Sequence, residues 1–191
     1  MIVVGFLRAD GEDRGLAVEI ARRAAATGAR VEMVGVAAPD AGGDIALLEL
    51  AAAGVGHATV IRTGAAGLEP ADLDLALRYL PDVRAVVLVR PERSLVPVAA
   101  GATDWAGAGL AIVGTPAGDR SDGAAADPAT SNAIVLDPPD ADPDGTFAGF
   151  VAALALRLEA GERPERALRA TLTDLAADPV SQAFPTRTRS P

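Results

Sequence analysis

Apolar residues along this chain alternate between unbroken runs and helical spacing, and glycine or proline marks most of the switches. Met1 to Leu7 is a near-continuous apolar run, the pattern of a strand covered on both faces. Leu16 to Thr27 predicts a helix with Leu16, Ile20, Ala24 and Thr27 on one stripe and Gly28 as its stop. Val31 to Val36 is the next strand. Pro39 to Gly43 predicts a turn, after which Asp44 caps a helix carrying Leu47, Leu48 and Leu50 that ends at Gly54. Val55 to Ile61 returns to strand, and Thr63 to Gly67 to loop. Glu69-Pro70-Ala71-Asp72 opens a helix with proline near its first position and Leu73, Leu77 and Leu80 on its apolar face. Arg84 to Val89 predicts a strand, Pro91 to Ala106 a helix, and Leu110 to Val113 another strand. Thr115 to Asp144 is polar and rich in Pro, Gly, Ala and Asp, interrupted by Ala133-Ile134-Val135-Leu136. Helices follow over Thr146 to Ala160 and Glu165 to Ala177, separated by Gly161, and the tail from Asp178 reads as frayed. Strand and helix in alternation predict an α/β fold: a doubly wound, mostly parallel sheet with helices on both faces.

Composition narrows the chemistry. The 191 residues are 50% hydrophobic and 23% charged, the balance of one globular domain. That domain is expected over residues 1–180, with 181–191 as a frayed tail. The chain has no cysteine, which excludes thiol catalysis and Cys-ligated metal. It has no lysine either, so all 17 basic residues are arginines and no Schiff base or P-loop lysine is available. A net charge of −9 and 3% aromatics argue against nucleic acid as a partner. No long apolar run or basic leader is present, so the expectation is a cytoplasmic protein with no membrane contact.

Few residues stand out as chemical groups. The lone His57 lies in a strand pattern and reads as structural. The acids Asp10, Glu12 and Asp13, and Asp137, Asp140, Asp142 and Asp144, could offer oxygen ligands but read as solvated loops. Gly5, Gly11 and Gly15 do not have dinucleotide-motif spacing. Asp144-Gly145-Thr146-Phe147-Ala148-Gly149 is a glycine turn running into a strong helix, and such a junction aims N–H groups and a helix dipole at an anion.

Together with several other segments, this junction resembles the ribokinase-like (PfkB) sugar kinases. Ile2-Val3-Val4-Gly5 with Asp10 looks like the family's opening strand and its sugar-holding aspartate. Ala24 to Ala29 with Val31 to Val36 is similar to "A..LGA.V..IG.VG", continued by Asp40 and Gly43 where the family has "D.FG", and by Gly54-Val55. Ala111 to Gly118 resembles the "V.VT.G..G" loop near the nucleotide, and Asp144 to Ala153 the "GAGD.F.G" signature. The resemblance implies ATP and Mg²⁺ as cofactors and a sugar or related alcohol as substrate. It implies Asp144 as catalytic base, Gly145 and Thr146 N–H groups as the anion hole, Asp10, Gly15 and Asp40 on the substrate side, and Thr115 and Gly118 beside the nucleotide.

The chain also departs from the pattern. In register with Phe147 the aspartate position falls on Gly145, and Asp144 stands where the family has the last anion-hole glycine. The segments that carry the family's β lid are brief here, at Asp10 to Leu16 and Thr63 to Glu69. The expectation is therefore a carbohydrate-kinase-like protein, weak or inactive as a kinase, that retains a nucleotide or small-ligand cleft. Two alternatives stand beside it. One is an active ATP-dependent phosphotransferase; the other is a non-catalytic module whose exposed sheet edge pairs with itself, as a homo-oligomer, or with another chain.

Overall fold

The structure, a computed structural model, describes residues 1–7, 15–64, 67–80, 82–117 and 132–177. Among them, six parallel strands form one sheet in the order β3-β2-β1-β4-β5-β6. In chain order the elements are β1 (Ile2–Leu7), α1 (Leu16–Ala26), β2 (Glu32–Ala37), α2 (Ala41–Ala52), β3 (Gly56–Arg62), α3 (Pro70–Tyr79), β4 (Ala85–Val89), α4 (Leu95–Ala106), β5 (Gly109–Val113), β6 (Ala133–Leu136), α5 (Thr146–Glu159) and α6 (Pro164–Ala177). Strand order reverses between β1 and β4, and open sheets of this kind bind ligands beyond the carboxyl ends of their strands at that point.

The sheet is buried because helices cover both faces. Val3, Leu7 and Met33 face α1, α2 and α5, with Ile20, Leu50 and Leu154 opposite them. Ile2, Val4, Val34 and Leu88 face α3 and α4, with Leu73 and Ala99 opposite. This double coverage is why β1, β2, β4 and β5 read as apolar runs rather than as alternation. Two glycines set the spacing at the middle of the sheet. A Cβ on Gly5 would lie 2.6 Å from the Ala17 Cβ of α1, and one on Gly35 would fall on the Gly5 carbonyl oxygen. The bare Gly5 lets α1 sit close against β1, and the bare Gly35 leaves room for the Gly5 carbonyl beside β2.

Three boundaries differ from expectation. α2 begins at Ala41, not after Asp44: Asp40 is its cap, accepting from the Gly43 N–H at 2.9 Å, and Gly43 is there because its backbone meets the Ala38 carbonyl. α4 begins at Leu95 because residues 91–93 first extend the β4–β5 ladder. The Ala117 N–H donates to Pro91 and the Arg93 N–H to Ala117, at 2.9 and 2.8 Å. Ala133 to Leu136, set within the long polar stretch, is a full sixth strand paired to β5. Among the described residues no helix is long and apolar enough to cross a membrane.

Candidate functional site

The carboxyl edge of the sheet collects most of the residues singled out above. Gly15 stands at the start of α1 with φ 72°, and its carbonyl accepts the Glu19 N–H at 2.6 Å. Asp40 spends one carboxylate oxygen on its capping bond. Asp44, one turn into α2, pairs with Arg62 at the end of β3 at 2.7 Å. At the switch point, Arg90 adopts φ 46°, a left-handed conformation that is strained for a residue with a side chain, and its N–H donates to Val113 at 2.7 Å. Thr115 follows Gly114 and is exposed. Asp10 and Gly118 lie outside the described residues. His57 is half-buried on β3 with its Nδ1 3.1 Å from the Val55 carbonyl, as a structural role requires.

The start of α5 is the best-defined part. Asp142-Pro143-Asp144-Gly145 is a turn closed by the Gly145 N–H donating to the Asp142 carbonyl at 3.1 Å. Aspartate at the first position, proline at the second and glycine at the fourth are the residues a type I turn favours. The turn throws the Asp144 side chain into solvent and folds that of Asp142 back over the helix. One Asp142 oxygen accepts from the Phe147 N–H at 3.0 Å and the other from the Ala148 N–H at 2.9 Å. Two of the helix's free donors are therefore already matched by a carboxylate of the chain itself.

Arg23 of α1 locks this arrangement. Its Nε is held by Glu19 at 2.7 Å and its guanidinium donates to the Asp144 carbonyl at 2.9 Å. Gly145, at φ 66°, has no room for a Cβ against that guanidinium. Asp142, read from sequence as a solvated-loop acid, is instead the cap of α5, and its signal was present in the Asp-Pro-Asp-Gly turn. Arg23 was not expected at the site: its pairing with Glu19 is local, but the Asp144 carbonyl that brings it here lies 121 residues away.

Beside the turn lies a cavity of about 410 Å³, within the range of small-ligand sites. Pro139, Phe147, Phe150 and Leu172 give it apolar walls, and Asp142 and Asp144 stand at its rim. The Phe147 and Phe150 rings are 6.4 Å apart. No group of three His, Asp or Glu residues among those described could hold a metal ion. Farther along α5 the hydrogen bond that Arg157 donates to Asp174, helped by one to Glu162, holds the guanidinium above its ordinary pKa.

No family model and no curated protein sequence matches the chain. Solved structures do. Sa239 superposes with a TM-score of 0.62 at 12% identity, covering 97% of each chain. Aminoimidazole riboside kinase from Salmonella enterica, complexed with aminoimidazole riboside and an ATP analogue, gives 0.58 at 12% identity, covering 91% of this chain and 90% of that one. A proposed ribokinase II from E. coli, in complex with ATP and Mg²⁺, gives 0.57 at 13% identity over 89% of each. The fold is ribokinase-like, as the sequence resemblance implied.

Proposed function

We propose that this protein binds a small ligand in the cavity beside the start of α5 and is weak or inactive as a sugar kinase. The observation that carries the reading is the Asp142 carboxylate seated on the Phe147 and Ala148 N–H groups. A transferred phosphoryl group is stabilised by donors aimed at its charge. Here the Phe147 and Ala148 N–H groups serve an internal anion, the Gly145 N–H of the expected anion hole closes a turn, and the Asp144 carboxylate lines the approach. The residues present do not fit ATP phosphates or Mg²⁺ at this point, so no transfer step is derived through them.

In this reading Asp144 is the group that touches the ligand, accepting from a hydroxyl or cationic donor, with Thr146 beside it on the same cavity wall. Gly15, Asp40 and Thr115 share the carboxyl edge and position the surrounding loops. The solved complexes with nucleotide and riboside support small-molecule binding as the use of this fold. The test is thermal shift and calorimetric titration with ATP, ADP, ribosides and free sugars, with and without Mg²⁺, alongside an ADP-release assay. Stabilisation by a nucleoside or sugar without turnover is expected. Phosphoryl transfer abolished by Asp144→Asn overturns the reading in favour of an active kinase.

A further inference from the structure

Strand β3 ends the sheet on one side, and among the described residues β2 alone pairs with it. The direction of its backbone groups past the register shift follows from the bond that the Thr63 N–H donates to Ala37; the Gly56 N–H, which donates to Val31, lies before that shift. Counting back by twos from Thr63, and matching the Val34–Thr59 and Val36–Ile61 partners, Thr59 and Ile61 face β2. The N–H and C=O groups of Val60 and Arg62, and the Ala58 C=O that lies opposite the Thr59 N–H across their shared peptide, therefore point away from the sheet. Neither Val60 nor Arg62 is proline, so both outward donors are present.

Sheet edges in monomeric proteins are guarded by brevity, proline, bulges or charge. The opposite edge is guarded: β6 has 4 residues and runs into Pro138-Pro139. β3 has 7 residues, its irregularity lies near its start, and its one charge, Arg62, is paired with Asp44. Large apolar side chains flank it. Leu48, one helical turn beyond Asp44 and so on the stripe that meets Arg62, is 69% exposed on one face of the sheet. On the other face Ile61 is 39% exposed.

We propose that β3 pairs antiparallel with β3 of a second copy of this chain across a two-fold axis at Val60, joining two sheets into one. A row of outward groups at Ala58, Val60 and Arg62 is self-complementary only about its centre. Val60 then faces its own counterpart as a hydrogen-bonded pair, and Ala58 of each copy faces Arg62 of the other. This register keeps the two arginines apart and places no like charges opposite one another. It also makes the contact isologous and closed, so pairing stops at two. With a net charge of −9 on each copy, added salt favours the pair. The inference is independent of the ligand reading above, since it concerns the far edge of the sheet.

Sedimentation across micromolar concentrations tests it. The unaltered chain is expected to run at twice the chain mass. Val60→Pro removes an outward N–H without touching the bonds to β2, and is expected to halve that mass with an unchanged circular dichroism spectrum. Val60→Cys gives a second test in a chain without cysteine. A hydrogen-bonded antiparallel pair sets Cα atoms about 5.5 Å apart, inside the roughly 4.4–6.8 Å that a disulfide spans. Mild oxidation should cross-link it quickly, while Val135→Cys on β6 stays unlinked. Should Val60→Pro fail to fold, the cross-link decides alone. An unaltered chain that stays monomeric overturns the proposal and leaves the edge to an extended segment of another protein. A dimer that survives Val60→Pro, or a Val60→Cys chain that links no faster than Val135→Cys, overturns it in favour of a different surface.

Discussion

Asp142→Ala perturbs the start of α5 and little else. The substitution deletes both acceptors now 3.0 and 2.9 Å from the Phe147 and Ala148 N–H groups and leaves the turn carbonyl in place. A capping side chain is worth about 0.5–2 kcal/mol, and a carboxylate at a helix N-terminus adds about 0.3–1 kcal/mol. Because Asp142 is half-buried and makes two bonds, about 2 kcal/mol is expected. For a domain of this size that corresponds to a fall in Tm of roughly 4–8 °C. Asp142→Asn keeps one acceptor and loses the charge, so it should fall between the two. Differential scanning calorimetry at neutral pH measures all three. A change below about 1 °C for Asp142→Ala would refute the capping argument. A second arm addresses function: with the internal carboxylate gone, millimolar phosphate should raise the Tm of Asp142→Ala more than that of the unaltered chain. At a hundredfold excess over its Kd, such a ligand adds about 2.7 kcal/mol. Equal responses would mean that these donors do not form an anion site even when freed.

Two further outcomes check the fold. Gly35→Ala puts a methyl group on the Gly5 carbonyl and should cost about 1–3 kcal/mol as overpacking between β1 and β2, read as a lowered denaturation midpoint; Gly64→Ala, with open space around it, should change little. Trp105, the chain's one tryptophan, is 92% exposed at the end of α4. Its emission should be that of a solvated indole, quenched by acrylamide nearly as well in the native as in the unfolded chain; strong protection would contradict this surface.

The architecture was legible because double coverage by helices leaves a plain mark. Val3, Val34, Val87 and Ile112 are fully buried in the four central strands, since neither face of those strands meets water. Glycines at φ 87°, 73° and 83°, namely Gly28, Gly54 and Gly161, follow α1, α2 and α5 and were readable as stops. What escaped the sequence was decided by contacts distant in the chain. Ala41-Gly42-Gly43 has turn composition, yet it is the first turn of α2 because the close approach to Ala38 needs a glycine. Pro91 to Ser94 has helix-start composition, yet residues beyond β5 claim its backbone first.

The candidate site shows the same competition at shorter range. Aligned by resemblance, Asp144 is a catalytic base and Gly145 an anion hole. Read by local turn chemistry, Asp142 to Gly145 are a hydrogen-bonded turn of the composition type I favours, whose first aspartate caps the helix. The local reading describes the geometry, because the turn needs only neighbours whereas the resemblance needs a loop held in a particular path.

Magnitudes indicate what kind of ligand this edge favours. A phosphate brought to about 4 Å from one carboxylate meets roughly 4 kcal/mol of repulsion at an effective dielectric near 20. Each charge-assisted hydrogen bond from a freed N–H would return about 1.5–3 kcal/mol, and displacing Asp142 to free those donors gives up the capping energy first. With Asp142 and Asp144 both at the rim, the balance runs against anions. It runs in favour of ligands that present donors, such as hydroxyls or an amine, to the carboxylates and an apolar face to Phe147 and Phe150. The electrostatics that disfavour phosphoryl transfer thus give the same cavity a preference, one that screening neutral polyols and cationic nucleosides against phosphorylated sugars would expose directly.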